Sequence, residues 1–137
     1  MKKFEFLEHT ADIKFKAFGK TISALFENCA LAFSNYISRG EKIKRTITKK
    51  INIFSEKDKE SLLYNFLENL ITLLDTDNFI VSKAKIKIKN NNLQAILKGH
   101  SAGRYIGLDH VKAVTYAEMY VKQKKDKTWE AQVVLDV

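Results

Sequence analysis

DIKFKAFGKTISALFENCALAFSNY, residues 12–36, changes its hydrophobic period once, and that change decides the fold class. Ile13, Phe15 and Ala17 alternate with Asp12, Lys14 and Lys16, the period-two signature of a half-buried strand. Gly19 and Lys20 make a turn, and Thr21 suits an N-cap. From there Ile22, Leu25, Phe26, Cys29, Phe33 and Tyr36 recur at three- and four-residue steps, one stripe of an amphipathic helix.

Upstream, Phe4 and Phe6 share a face of a short strand within Met1–Leu7. Downstream, Ser38, Arg39 and Gly40 end the helix, and Ile43, Ile47, Ile51 and Ile53 restore alternation. Asp58 then caps a second helix with the stripe Leu62, Leu63, Phe66, Leu67, Leu70, Leu73 and Leu74, which stops at a turn over residues 75–78. Ala84, Ile86 and Ile88 alternate with Lys83, Lys85, Lys87 and Lys89. After the Asn90–Asn92 turn, Leu93, Ala95 and Leu97 return, so the pair reads as a hairpin. Residues 99–109 read as a loop, residues 112–122 as a strand, and Trp129, Ala131, Val133 and Leu135 mark the last strand. The sum is an α+β fold: a largely antiparallel sheet of about six to seven strands, with two amphipathic helices packed on one face. Residues 1–137 are expected to form one domain.

With 45% hydrophobic and 11% aromatic residues the chain has material for a packed core and does not resemble a disordered one. No apolar run approaches the roughly 18–20 residues that span a membrane. The N-terminus lacks a secretory pattern, and Cys29 is the only cysteine. A reducing, cytoplasmic setting is the expectation. The net charge of +8 suits an acidic partner such as RNA or an acidic protein surface. An abundance of lysine, asparagine and isoleucine, with only Arg39, Arg45 and Arg104 as arginines, is also what adenine- and thymine-rich codons produce. Charge alone decides nothing.

The common catalytic signatures are absent: no dinucleotide or phosphate-binding glycine motif, no zinc-protease motif, no paired cysteines. His9, His100 and His110 match no zinc spacing. Cys29 sits on an apolar stripe, which predicts a buried, inert thiol. The Lys83–Lys89 run reads as a solvated face, because no aromatic residue interleaves it. The ends of the chain carry more. Asp136 alternates away from Leu135, beside the carboxylate of Val137, and Asp12 lies off the apolar face of its own strand. If these two strands are neighbours, three carboxylates meet, the all-oxygen environment that hard cations prefer.

These residues coincide with a family pattern. Phe6-Leu7-Glu8-His9-Thr10-Ala11-Asp12-Ile13, Ala17-Phe18-Gly19-Lys20-Thr21 and Leu25-Phe26-Glu27-Asn28-Cys29-Ala30 resemble the opening of the archease family. Leu73-Leu74-Asp75-Thr76-Asp77, Lys112-Ala113-Val114-Thr115-Tyr116 and the C-terminal Trp129–Val137 resemble its later segments, in order. One departure is Ala117, where many archeases have a histidine.

The resemblance implies an accessory protein, not an enzyme, with no catalytic residues of its own. It implies an RtcB-type RNA ligase as partner, acting in tRNA splicing and RNA repair, whose guanylylation and repeated turnover the protein promotes. GTP would be held by the partner, and any RNA reached through it. The resemblance also implies one divalent cation, calcium or magnesium ahead of manganese or zinc, on Asp12, Asp136 and the Val137 carboxylate. His9, Thr10 and Lys112 stand beside these as candidates for supporting the ligands or meeting the partner. Two rival readings come from other classes: a stand-alone metal-dependent phosphoesterase, for which no second metal set or general base is visible, and a basic RNA-binding module, which salt-sensitive binding would reveal.

Overall fold

Two side-chain caps divide the chain where the hydrophobic period changes. Thr21 Oγ1 accepts from the Ala24 N–H at 3.0 Å and starts helix α1, Ile22–Ser38. Asp58 and Ser61 form a reciprocal capping box that starts α2, Lys59–Asp77. The helix ends are equally local: Arg39 and Asn78 take left-handed backbone, and the Gly40 N–H closes on the Asn35 carbonyl at 2.9 Å. Helix α2 therefore runs through Asp75 and Asp77, where the sequence suggested a turn, and only Asn78 stops it.

The computed structural model describes residues 1–54 and 56–137. Around the helices lie seven strands: β1 Phe4–Leu7, β2 Ile13–Gly19, β3 Ile47–Ile53, β4 Phe79–Lys89, β5 Asn92–Ser101, β6 Ala113–Gln123 and β7 Trp129–Asp136. Every pairing is antiparallel. The α+β class is as the patterning implies, but the strands divide into two sheets, β1-β2-β7-β6 and β3-β5-β4, instead of forming one. Helix α1 packs on β2 and β4, and α2 on β6 and β4, so both helices touch both sheets. The reason is visible on α1, which buries Leu25, Phe26, Cys29, Ala30, Ala32, Phe33 and Ile37, a belt wider than one sheet-facing stripe. Alternation shows which side of a strand is apolar; it does not show which strands are neighbours.

Helix glutamates also finish two sheet edges. Glu27 on α1 accepts from the Ile86 N–H of β4 at 2.8 Å. Glu68 and Glu60 on α2 accept from the Val114 and Val121 N–H groups of β6 at 2.8 and 3.2 Å. Edge N–H groups left open invite pairing with other chains; here side chains occupy them.

The segment that the sequence suggested as a loop from Gly99 begins as strand. β5 continues through Ser101 because Gly99 lets the backbone of β4 approach: a Cβ there would stand 2.0 Å from the Ile80 carbonyl oxygen. A bulge between Val81 and Lys83 lies at the same place.

Candidate functional site

β2 and β7 are neighbours, and their register decides the position of the carboxylates. Ile13 pairs with Leu135. Just outside that pair, Asp12 precedes β2 and Asp136 ends β7, so the two lie at the same end of the sheet, each one residue from an apolar side chain, Ile13 or Leu135. Asp12 is half-buried and Asp136 exposed. The Asp136 carbonyl accepts from the Lys112 N–H at 2.8 Å, so Lys112 meets this end of the sheet through its backbone while its side chain is exposed.

The turn that delivers Asp12 is strained. Ala11 has φ 69°, the left-handed region, where a Cβ meets the backbone at a cost of about 1–2 kcal/mol. Thr10 is exposed in the same turn. His9 is exposed and lies between two carboxylates: its Nδ1 is 3.8 Å from an Asp12 carboxylate oxygen and its Nε2 3.1 Å from Glu118.

Glu118 is the residue the sequence did not reveal. Four β6 residues, Tyr116 to Met119, stand opposite Val133 alone, because the register shifts between Thr115 and Tyr120. Within this bulge Glu118 takes φ 57°, and its carbonyl accepts from the Gln132 side-chain amide at 2.8 Å. Its carboxylate reaches beyond β7 to Lys14 of β2, which donates at 2.9 Å. Hydrogen bonds from Lys14 and from His9 hold the Glu118 carboxyl below the ordinary glutamate range. The outer side of β7 is closed off here: Glu130, Gln132 and Val134, which alternation would leave to solvent, are buried. Burial pushes the Glu130 carboxyl up, but the Tyr120 hydroxyl and Lys122, Lys16 and Lys124 outweigh it and hold it low. Tyr116, in the same bulge, stacks on Tyr64 of α2 with ring centroids 4.2 Å apart. Residues 112–122 read as one continuous strand in sequence, and no glycine marks the bulge.

As candidate cation ligands, this end of the sheet offers the side chains of Asp12 and Asp136. Among the described residues, no three His, Cys, Asp or Glu side chains come together to hold a metal. Two side-chain carboxylates are oxygen donors, which suit calcium or magnesium; His9 beside Asp12 adds a nitrogen donor of the kind manganese and zinc accept. The donor chemistry fits a single hard cation that takes its remaining ligands from water or from another molecule. His100 lies on the other sheet, where its Nδ1 meets the Thr46 hydroxyl at 2.6 Å. Cys29 is fully buried, and burial raises its thiol far above the ordinary range, as its place on the apolar stripe implies. No helix of the described residues is long and apolar enough to cross a membrane.

Comparison with known proteins gives a consistent result. The sequence pattern of the Archease protein family (MTH1598/TM1083) matches residues 4–137. The chain is 36% identical to Protein archease of Pyrococcus furiosus, with 100% of each chain covered. It is 36% identical to Protein archease of Methanosarcina mazei, covering 99% of this chain and 97% of that one. The solution structure of Methanobacterium thermoautotrophicum protein 1598 superposes with a TM-score of 0.77 at 31% identity, each chain covered completely. A crystal structure from Thermotoga maritima, described as an archease and possible chaperone, shares the fold with a TM-score of 0.60 at 21% identity, covering 100% of this chain and 98% of that one.

Proposed function

Since the chain belongs to the archease family, we propose that it serves an RtcB-type RNA ligase as an accessory protein, promoting guanylylation of the ligase and its return to further turnovers. The observation that supports this reading is the β2–β7 register, which pairs Ile13 with Leu135 and so leaves their sequence neighbours Asp12 and Asp136 at the same end of the four-stranded sheet. Asp12, Asp136 and the carboxylate of Val137 would hold one divalent cation. A bound cation would supply positive charge and open coordination positions for anionic groups at a shared interface.

The chain's own residues then have separate tasks. Asp12 and Asp136 concentrate negative charge where two strands end. His9, held between Asp12 and Glu118, limits how far the strained turn at Ala11 can relax. The Lys112 N–H fixes the main chain of Asp136, so its carboxylate projects from a hydrogen-bonded strand.

The test measures two quantities on the same variants: calcium and magnesium affinity by calorimetry, and the rate of ligase guanylylation from GTP. Asp12→Ala and Asp136→Ala are expected to lower both and leave the fold intact. Extending the chain beyond Val137 converts its carboxylate to an amide and should weaken cation binding with every side chain retained. Full stimulation of the ligase by a variant that no longer binds cation would overturn the proposed role of the site. Absence of stimulation by the wild-type protein would overturn the accessory function itself.

A further inference from the structure

The second sheet has a face that the carboxylate cluster does not use. Its pairings place Thr48, Lys98 and Lys83 in one row, Lys50, Ile96 and Lys85 in the next, and Asn52, Gln94 and Lys87 in a third, with Lys89 beyond. All of these are exposed on the side opposite the core. None of the positions holds an acidic residue. Among the described residues, none of the six lysines is ion-paired, whereas Lys14 and Lys122 on the other sheet, and Lys124 just past β6, all meet glutamates. Lys83 and Lys98 stand directly opposite each other on β4 and β5, an arrangement of like charges that is unfavourable until an anion lies between them.

The structure also supplies what the lysine run lacks in sequence. Phe54, just past β3, is 67% exposed and lines a groove with Lys87, Lys89 and Gln94. At the other end, Arg45 donates from Nε to the Ser82 hydroxyl at 3.1 Å, which holds its guanidinium against the bulge beside Lys83, Lys85 and Lys98. Same-face side chains along a strand recur about every 6.6–6.8 Å, a spacing comparable to that of successive phosphates along one nucleic-acid strand. A positive groove that tracks a backbone, with an aromatic ring at one end to stack a base, is how proteins bind single strands without strong sequence preference.

We propose that the outer face of the β3-β5-β4 sheet docks a segment of single-stranded RNA, its phosphates on the lysine rows and one base on Phe54. Phosphate charge matches the lysine rows, and a stacked base accounts for an exposed phenylalanine that an acidic peptide would leave unused. Two exposed apolar side chains, Phe54 and Ile96, are too few to anchor the sheet in a bilayer. The choice of RNA over DNA rests on the proposed ligase partnership; the surface and its chemistry do not.

The experiment uses the isolated full-length protein and a short fluorescently labelled RNA of mixed sequence, with binding followed by anisotropy across a salt series. The triple variant Lys83→Gln/Lys85→Gln/Lys87→Gln should weaken binding at least tenfold and flatten the slope of log K against log salt by about 2, since each phosphate contact on a single strand contributes roughly 0.7. Phe54→Ala should weaken binding about tenfold while leaving the salt slope unchanged, the mark of a lost stack. A control triple, Lys3→Gln/Lys20→Gln/Lys125→Gln, removes equal charge away from the sheet and should bind like wild type. Equal weakening by both triples, or no effect of Phe54→Ala, would overturn the proposal. Tighter binding to a poly-glutamate peptide or to anionic vesicles than to RNA would do the same. Ligase stimulation by the Lys83/Lys85/Lys87 variant, measured as guanylylation without RNA, is expected to stay at the wild-type level. Failure of RNA binding and failure of the accessory function are therefore read in separate assays.

Discussion

Ala11 carries a backbone conformation that a glycine would adopt freely, in the turn that presents Asp12. Strain retained next to a candidate ligand is informative because it costs stability without any packing return. Ala11→Gly is accordingly expected to raise stability by about 1 kcal/mol, read from the denaturant midpoint, and to weaken cation affinity as the turn loosens. A stabilised variant with unchanged affinity would show that the strain has no part in holding Asp12. Glu118 offers a second test at this scale. Its folded value lies below the unfolded one, so its contribution to stability is present above the ordinary glutamate range and is lost as pH falls through the folded value. A carboxyl NMR titration of Glu118 should give a midpoint below that of a free glutamate, and Lys14→Ala should move it upward. Of the residues at this site, Asp12, Asp136 and His9 were legible in sequence, from alternation and from the family pattern. Glu118 was not, since its position follows from a bulge whose strand otherwise reads as continuous.

Among the elements, the two helices do more than fill the core. Glu68 occupies the Val114 N–H of edge strand β6, a buried position where an unpaired donor costs about 1–3 kcal/mol. Glu68→Ala should therefore destabilise by about that amount, measured by chemical denaturation, whereas Glu68→Gln keeps an acceptor oxygen and should recover most of the loss. Equal losses would mean that the carboxylate charge, and not the hydrogen bond, secures the edge. Close approach sets another constraint. At Gly99 a methyl group would press into the Ile80 carbonyl and the Phe79 ring, so Gly99→Ala is expected to cost about 3 kcal/mol by forcing β5 away from β4. Most elements were legible from period and caps: Thr21 and Asp58 start their helices, and Asn90 and Asn91, two of the three asparagines read as a turn, separate β4 from β5. What periodicity does not carry is adjacency. It gave no reason to separate β3, β4 and β5 from the other four strands, nor to carry β5 beyond Gly99, because both follow from side-chain and backbone contacts between segments distant in sequence.

The molecule as a whole holds two chemically opposite surfaces, the end of the four-stranded sheet with Asp12 and Asp136 and a lysine field on the three-stranded one. The core between the sheets joins them, and there Phe26 of α1 meets Phe66 of α2 with ring centroids 6.1 Å apart and both side chains fully buried. If α1 and α2 unite the sheets, damage at that contact must reach both. Phe66→Ala removes a buried aromatic ring and should cost about 3–5 kcal/mol, from lost burial and the cavity left behind. The loss should appear as one cooperative transition, with the amides of β5 and β7 losing protection against hydrogen exchange by the same free energy. Protection retained in β7 while β5 exchanges would show two units that unfold separately. In that event the surfaces would be independent in stability as well as in chemistry. Coincident loss instead means that whatever loosens the core weakens the grip of both surfaces together. Cation affinity and RNA affinity of Phe66→Ala should then fall in parallel as temperature approaches its lowered Tm, while each remains near wild type well below it.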